Sequence, residues 1–124
     1  MPARSPEELG RLFAAAMNSN NLEAIMALYE SGASMASAPG RVVTGAAAIR
    51  RVVSEHLASK PKITVTPKLL AQAGDIALVA TSWSVAGIGG DGKPFNINGQ
   101  AAEVCRRQKD GTWLYVIDYP YGLQ

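Results

Sequence analysis

Three consecutive β-patterns between Gly74 and Tyr119 restrict this chain more than anything else in it. DIALVATSWSVAGI, KPFNINGQAAEVCRRQ and TWLYVIDYP each read as a strand, rich in β-branched and aromatic residues. Gly89-Gly90-Asp91-Gly92 and Lys109-Asp110-Gly111 separate them, and glycine-bearing segments of this kind make hairpin turns. A fourth strand precedes them from Lys62 to Ala73, where Ile63 and Val65 alternate with Thr64 and Thr66. Pro67 lies inside it and cannot donate to a ladder, so it marks a sheet edge or a bulge. A sheet of this size needs one face covered, and the upstream sequence supplies the cover.

Ser5-Pro6-Glu7-Glu8 starts a helix. Ser5 can cap, Pro6 suits the first helical position and Glu8 completes a capping box. Leu9, Leu12, Phe13, Ala16 and Met17 follow at helical spacing and form one apolar stripe. Asn18-Ser19-Asn20-Asn21 breaks that helix and caps a second, whose stripe is Leu22, Ile25, Met26, Leu28 and Tyr29 and whose stop is Gly32. Met35–Ser37 and Arg41–Val43 are short strands around an Ala38-Pro39-Gly40 turn. Thr44 is placed to cap a third helix, from Gly45 to about Ser59, with Ile49, Val52, Val53 and Leu57 on its inner face. The order is helix, helix, two short strands, helix, four long strands, in one domain spanning residues 1–124. Grouped helices and strands of this kind indicate an α+β fold with a mostly antiparallel sheet.

Composition narrows the function. Apolar residues make up 48% of the 124, and the net charge is +2. The basic pairs Arg50-Arg51 and Arg106-Arg107 are isolated, so no nucleic-acid-binding stripe is expected. Cys105 is the single cysteine and lies in a strand, which excludes an internal disulfide and reads as a small buried hydrophobe. No apolar run approaches the ~20 residues of a membrane span. The N-terminal segment lacks the apolar core of a signal peptide, and the expected location is the cytoplasm.

A twisted sheet roofed on one side by three helices encloses a cavity at its open end. Ala77, Ala80, Ser82, Ala86, Gly99, Ala101 and Ala102 leave room in the strands, and Trp83, Trp113, Tyr115, Tyr119 and Tyr121 can wall it. Val79, Val85, Val104, Leu114 and Val116 supply apolar groups for the opposite face. That face is expected to pack against a second copy of the chain.

Several further features share one likeness. They are Leu28-Tyr29 before the first short strand, Pro39-Gly40, the segment Gly45 to Ile49, Gly74-Asp75-Ile76-Ala77 followed by Trp83, Asp91-Gly92, Gly99, Val104 with Arg106-Arg107, Asp110-Gly111-Thr112-Trp113, and the run Ile117 to Gly122. In this order the chain resembles the NTF2-like, or SnoaL-like, superfamily that includes the ketosteroid isomerases, and within it the DUF4440 group. The resemblance covers nearly the whole chain. It implies a conical α+β barrel with a deep pocket, usually dimeric. It also implies, for an isomerase, a tyrosine on the first helix, an aspartate before a proline and an oxyanion-hole acid. Here the first two positions hold Phe13 and Ala38, and the third falls near Ala102-Glu103. Phe13 has no hydroxyl and Ala38 no base, so ketosteroid isomerisation by that route is not expected.

Other residues keep chemistry open. Asp118 lies among apolar neighbours; facing a cavity it would be a general acid or base, and at a strand end it would pair with an arginine or cap a backbone group. Glu103 likewise is either a pocket carboxyl able to pair with Asp118 or a surface ion-pair partner. His56, the only histidine, either completes a dyad with one of them or sits at a helix end. Phe13, Met17, Tyr29, Trp83, Asn98, Gln100 and Tyr115 are the candidate ligand-binding residues. A metal site is not expected from one histidine without clustered partners, and no cofactor is expected. The Gly87–Gly92 run lacks the strand-to-helix setting of a phosphate loop and reads as a hairpin. The expected function is a pocket for a small apolar or aromatic metabolite. The alternatives are a cofactor-free isomerase, lyase or cyclase using Asp118, and an interaction domain with a filled interior.

Overall fold

A computed structural model of the chain describes residues 2–122. The elements run α1 (Pro6–Asn18), α2 (Leu22–Met26), β1 (Tyr29–Ala38), β2 (Arg41–Thr44), α3 (Ala46–Leu57), β3 (Lys62–Ala73), β4 (Ile76–Ile88), β5 (Pro94–Arg107) and β6 (Trp113–Tyr119). This is the α+β order expected. The strands form one six-stranded sheet in the order β2-β1-β6-β5-β4-β3. Neighbours are antiparallel except β1 and β6, which are parallel. β2 and β3 remain as free edges, so the sheet is open and does not close into the expected barrel.

Local chemistry accounts for most boundaries. The Ser5 hydroxyl accepts from the Glu8 backbone N–H at 3.2 Å, which caps α1. The Glu8 carboxylate accepts from the Arg4 N–H at 2.6 Å, one residue before the partner that a reciprocal capping box would use. The Asn21 side chain caps α2. Asp91 closes the β4–β5 hairpin by accepting from the Lys93 N–H, and the glycine-rich run is that hairpin. Pro67 lies on edge strand β3, where a missing N–H leaves no inner ladder unpaired.

Two boundaries differ from expectation. Leu28 and Tyr29 do not belong to α2, which has only five residues. Tyr29 instead opens a ten-residue β1 and pairs with Tyr115 of β6. So short a helix is marginal alone, and the ladder to a buried strand wins. Thr44 does not cap α3. Its hydroxyl bonds Ser34 across the β1–β2 pair, and Gly45, at φ 97°, turns the chain into the helix with no side-chain cap.

The helices lie on one face. α1 packs along β3 and reaches β4 and β6, while α3 rests against β1 and β2. Leu9, Ile25, Ile49, Val53, Val79 and Cys105 are the largest fully buried side chains among the described residues and fill the core between the two layers. Cys105, wholly buried, is pushed up to about 12 by the loss of water and is inert as a thiol. No helix among the described residues is long and apolar enough to cross a membrane.

Candidate functional site

The pleat of β4 and β5 assigns each residue to a face. In β4, Ala77, Val79, Thr81, Trp83 and Val85 point toward the helices. In β5, Phe95, Ile97, Gly99, Ala101, Glu103 and Cys105 do so. Glu103 therefore points inward, and only 6% of it is exposed.

β6 reaches the same face by a different device. Trp113 and Tyr115 alternate inward and are buried. Continued alternation would bring Ile117 inward and Asp118 outward. The register prevents it: Tyr115 lies opposite Cys105 and Ile117 opposite Val104, so Val116 has no counterpart on β5. This β-bulge inserts one residue and resets the pleat. Asp118 turns inward, 8% exposed, and Ile117 turns outward, 46% exposed. Asp118 then stands directly across the ladder from Glu103. Side chains so placed have their Cβ atoms about 4.5–5.5 Å apart.

Above this pair is a cavity of about 240 Å³ between the sheet, α1 and the end of α3. Phe13, Met17, Trp83, Phe95 and Tyr115 give it an apolar and aromatic lining, and Glu103 and Asp118 are its carboxyl groups. No lysine or arginine among the described residues lines it. Trp83 forms one wall. Its indole covers Gly99, where a Cβ would meet the ring at 2.8 Å, and its Nε1–H donates to the Pro120 carbonyl at 2.9 Å. Glycine at 99 is thus required by the close approach of the indole.

A hydroxyl donates to each carboxyl. The Tyr29 hydroxyl donates to Asp118 Oδ2 at 2.7 Å, and the Thr81 hydroxyl donates to Glu103 Oε1 at 2.8 Å. Burial pushes Asp118 up to about 6, with the Tyr29 hydrogen bond opposing the shift. Glu103 is pushed up to about 8, chiefly by burial and further by the charge of Asp118, against the pull of Thr81. Burial and mutual repulsion disfavour two charges here, so the pair retains a proton above the range in which ordinary carboxyls lose theirs. Two carboxyl groups with separated pKa values form the arrangement that general acid–base chemistry needs.

Most, but not all, of the expected site residues meet here. Phe13, Met17, Trp83, Tyr115, Glu103, Asp118 and His56 line the cavity. Tyr29 is buried behind it and touches Asp118 from the β1 side. Asn98 and Gln100 do not face the cavity: they stand on the outer, exposed face of β5, because its inward positions are Phe95, Ile97 and Gly99. The ring of His56 makes no hydrogen bond to either carboxyl among the described residues, so no dyad is formed. Loss of water lowers its pKa, with Glu55 opposing. Trp113 and Tyr119 do not wall the cavity; Trp113 is in the core beside Arg107, and Tyr119 lies opposite outward-facing Ala102. Thr81, Phe95 and Ile97 escaped the sequence reading, although counting back by twos from Glu103 reaches both Ile97 and Phe95. No cluster of three or more His, Cys, Asp or Glu side chains among the described residues could hold a metal ion.

Solved structures place this architecture. A proposed scytalone dehydratase from Novosphingobium aromaticivorans DSM 12444 superposes with a TM-score of 0.81 at 15% identity, over 98% of this chain and 88% of that one. A proposed dehydratase of the NTF2-like family from Streptomyces avermitilis gives 0.77 at 17% identity, over 94% and 93%. An NTF2-like superfamily protein from Salmonella enterica serovar Typhimurium gives 0.79 at 14% identity, over 91% and 84%. At these identities the likeness is one of fold. Comparison with curated proteins finds no match. The sequence itself matches the SnoaL-like domain over residues 10–116, and the chain belongs to that family.

Proposed function

We infer that the protein binds a small, mostly apolar molecule bearing a carbonyl or hydroxyl group and moves a proton on it without a cofactor. The observation that carries this reading is the Glu103–Asp118 pair, buried side by side at an otherwise apolar cavity. Between pH 6 and 8 Asp118 is a carboxylate that can take a proton from carbon. Glu103 is still an acid that can give one to oxygen. Beside a carbonyl the result is an enol and then a shifted double bond. Where a hydroxyl lies one carbon further on, the C–H electron pair forms the new C=C bond, and the C–O pair leaves with the Glu103 proton as water. The dehydratase assignments proposed for two structural neighbours are in keeping with this chemistry.

A panel of one- and two-ring hydroxy ketones, with product followed by chromatography, tests the reading. Turnover with a rate maximum between pH 6 and 8 supports it. Binding seen as thermal shifts, with no product from any compound, reduces the site to a binding pocket.

The working unit in this reading is a homodimer built on the outer face of the sheet. Leu78, Val104 and Ile117 stand in one cross-strand row on that face, and Leu78 and Ile117 are 40% and 46% exposed. Ala80, Ala102 and Tyr119 form the next row, where the two alanines leave room for a second sheet beside the tyrosine ring. Val79 and Val85, expected on this face, point inward instead. Ile117→Lys places a charge at the centre of the patch, which desolvation makes costly. Sedimentation at micromolar concentration should show a dimer for the parent and a monomer for the variant. A monomeric parent would remove the proposal.

A further inference from the structure

Resting on the acid–base reading of the carboxyl pair, we propose that Tyr29 is a positioning residue that commits Asp118 to the role of base, with Thr81 holding Glu103 as the proton-bearing partner. Tyr29 does not line the cavity and cannot act on a ligand directly. It begins β1, opposite Tyr115 in the parallel pair with β6. Its ring lies 5.1 Å from that of Tyr115, tilted by 38°, and Tyr115 in turn meets the edge of Phe13 at 6.5 Å. These contacts leave the phenol little freedom, and they aim its hydroxyl at Asp118 Oδ2.

The two donors differ in kind. A phenol is the stronger donor and the poorer acceptor, so it favours an anion. An aliphatic alcohol gives and receives with equal ease, so it tolerates a neutral acid. Tyr29 meets Asp118 and Thr81 meets Glu103, which matches anion to phenol and acid to alcohol. In each case the hydroxyl meets one named oxygen, Oδ2 of Asp118 and Oε1 of Glu103.

Among the described residues no charged donor faces the pair to make this choice instead. Facing Asp118 are Glu103 and Cys105 from β5, Tyr29 and Met35 from β1, Tyr115 from its own strand, Tyr121 from the segment after β6, and His56 from α3 across the cavity. None is a permanent cation. Without the phenol the anionic form of Asp118 loses the donor that favours it, and its lead over Glu103 narrows.

Carbon-13 NMR titration of the carboxyl groups in the free protein tests this without a substrate. In the parent, Asp118 should ionise first, near 6, and Glu103 second, near 8. Tyr29→Phe keeps the ring and removes the donor. Its Asp118 midpoint should rise by about one pH unit, so that both carbons respond in both steps. Thr81→Val should leave Asp118 the first to ionise. A parent in which Glu103 ionises first overturns the proposal, as does an Asp118 midpoint unmoved in Tyr29→Phe, even where that variant has lost thermal stability. Failure of the acid–base reading itself shows differently, as absent turnover with the titration order intact.

Discussion

Turnover by Asp118→Asn is expected to fall by about 10²- to 10⁴-fold, the usual contribution of a positioned general base. The amide matches the carboxylate in shape and still accepts from Tyr29 through its oxygen, so cavity and fold should persist. Ligand binding should therefore survive where catalysis does not. The pH profile carries the sharper signature. In the parent, rate should decline below about 6 as Asp118 gains its proton, and above about 8 as Glu103 loses its own. In Asp118→Asn the acid limb should vanish. Unchanged turnover in this variant would take Asp118 out of the mechanism.

Glu103→Gln should stabilise the protein, and more so as pH rises. A glutamate in water ordinarily titrates near 4.5, and burial raises Glu103 to about 8 in the folded chain. Below 4.5 the group is protonated folded or unfolded, and its ionisation costs the fold nothing. As pH rises toward 8 the unfolded chain ionises freely while the folded one holds its proton, so stability drains away; above 8 the loss is complete. At about 1.4 kcal/mol per pH unit between 4.5 and about 8, relief of that loss is on the order of 5 kcal/mol at pH 9. In a chain of this size that corresponds to about 20 °C in melting temperature. At pH 4 parent and variant should melt within a few degrees of each other. A variant no more stable than the parent at pH 9 would mean that Glu103 is not held as a buried acid. The same substitution removes the proton donor and should cost activity, so stability and function pull in opposite directions at one residue.

The sequence announces what local rules control. Ser5-Pro6 fixes the start of α1, and the glycine-containing turns fix the hairpins, because capping and φ preference are decided within a few residues. β3, β4 and β5 follow their alternation from end to end, apart from one irregularity in β3. The failures arise where a distant partner decides. Tyr29 is drawn out of a helical pattern by its ladder to Tyr115, a strand 86 positions along the chain. Thr44 is taken from its cap by Ser34. Asn98 and Gln100 suit a polar ligand or open solvent equally by their chemistry; alternation decides between them only with an anchor, which Glu103 supplies once its own side is known. The meeting of Glu103 and Asp118 was conceivable from sequence and undecidable there, since it hangs on a register slip that leaves no mark in the order of residues.

Val116 is the one residue this strand could lose without changing what its neighbours face. With Tyr115 already opposite Cys105, Ile117 opposite Val104 and Asp118 opposite Glu103, excising it would join these pairs into unbroken alternation, the carboxyl still inward and the isoleucine still outward. The exchange of faces would come from the opposite event, a slip that draws Val116 into the ladder, turning Ile117 toward the helices and Asp118 toward solvent. The extra residue thus works as a parity spacer, and what it protects is the side on which a charge emerges.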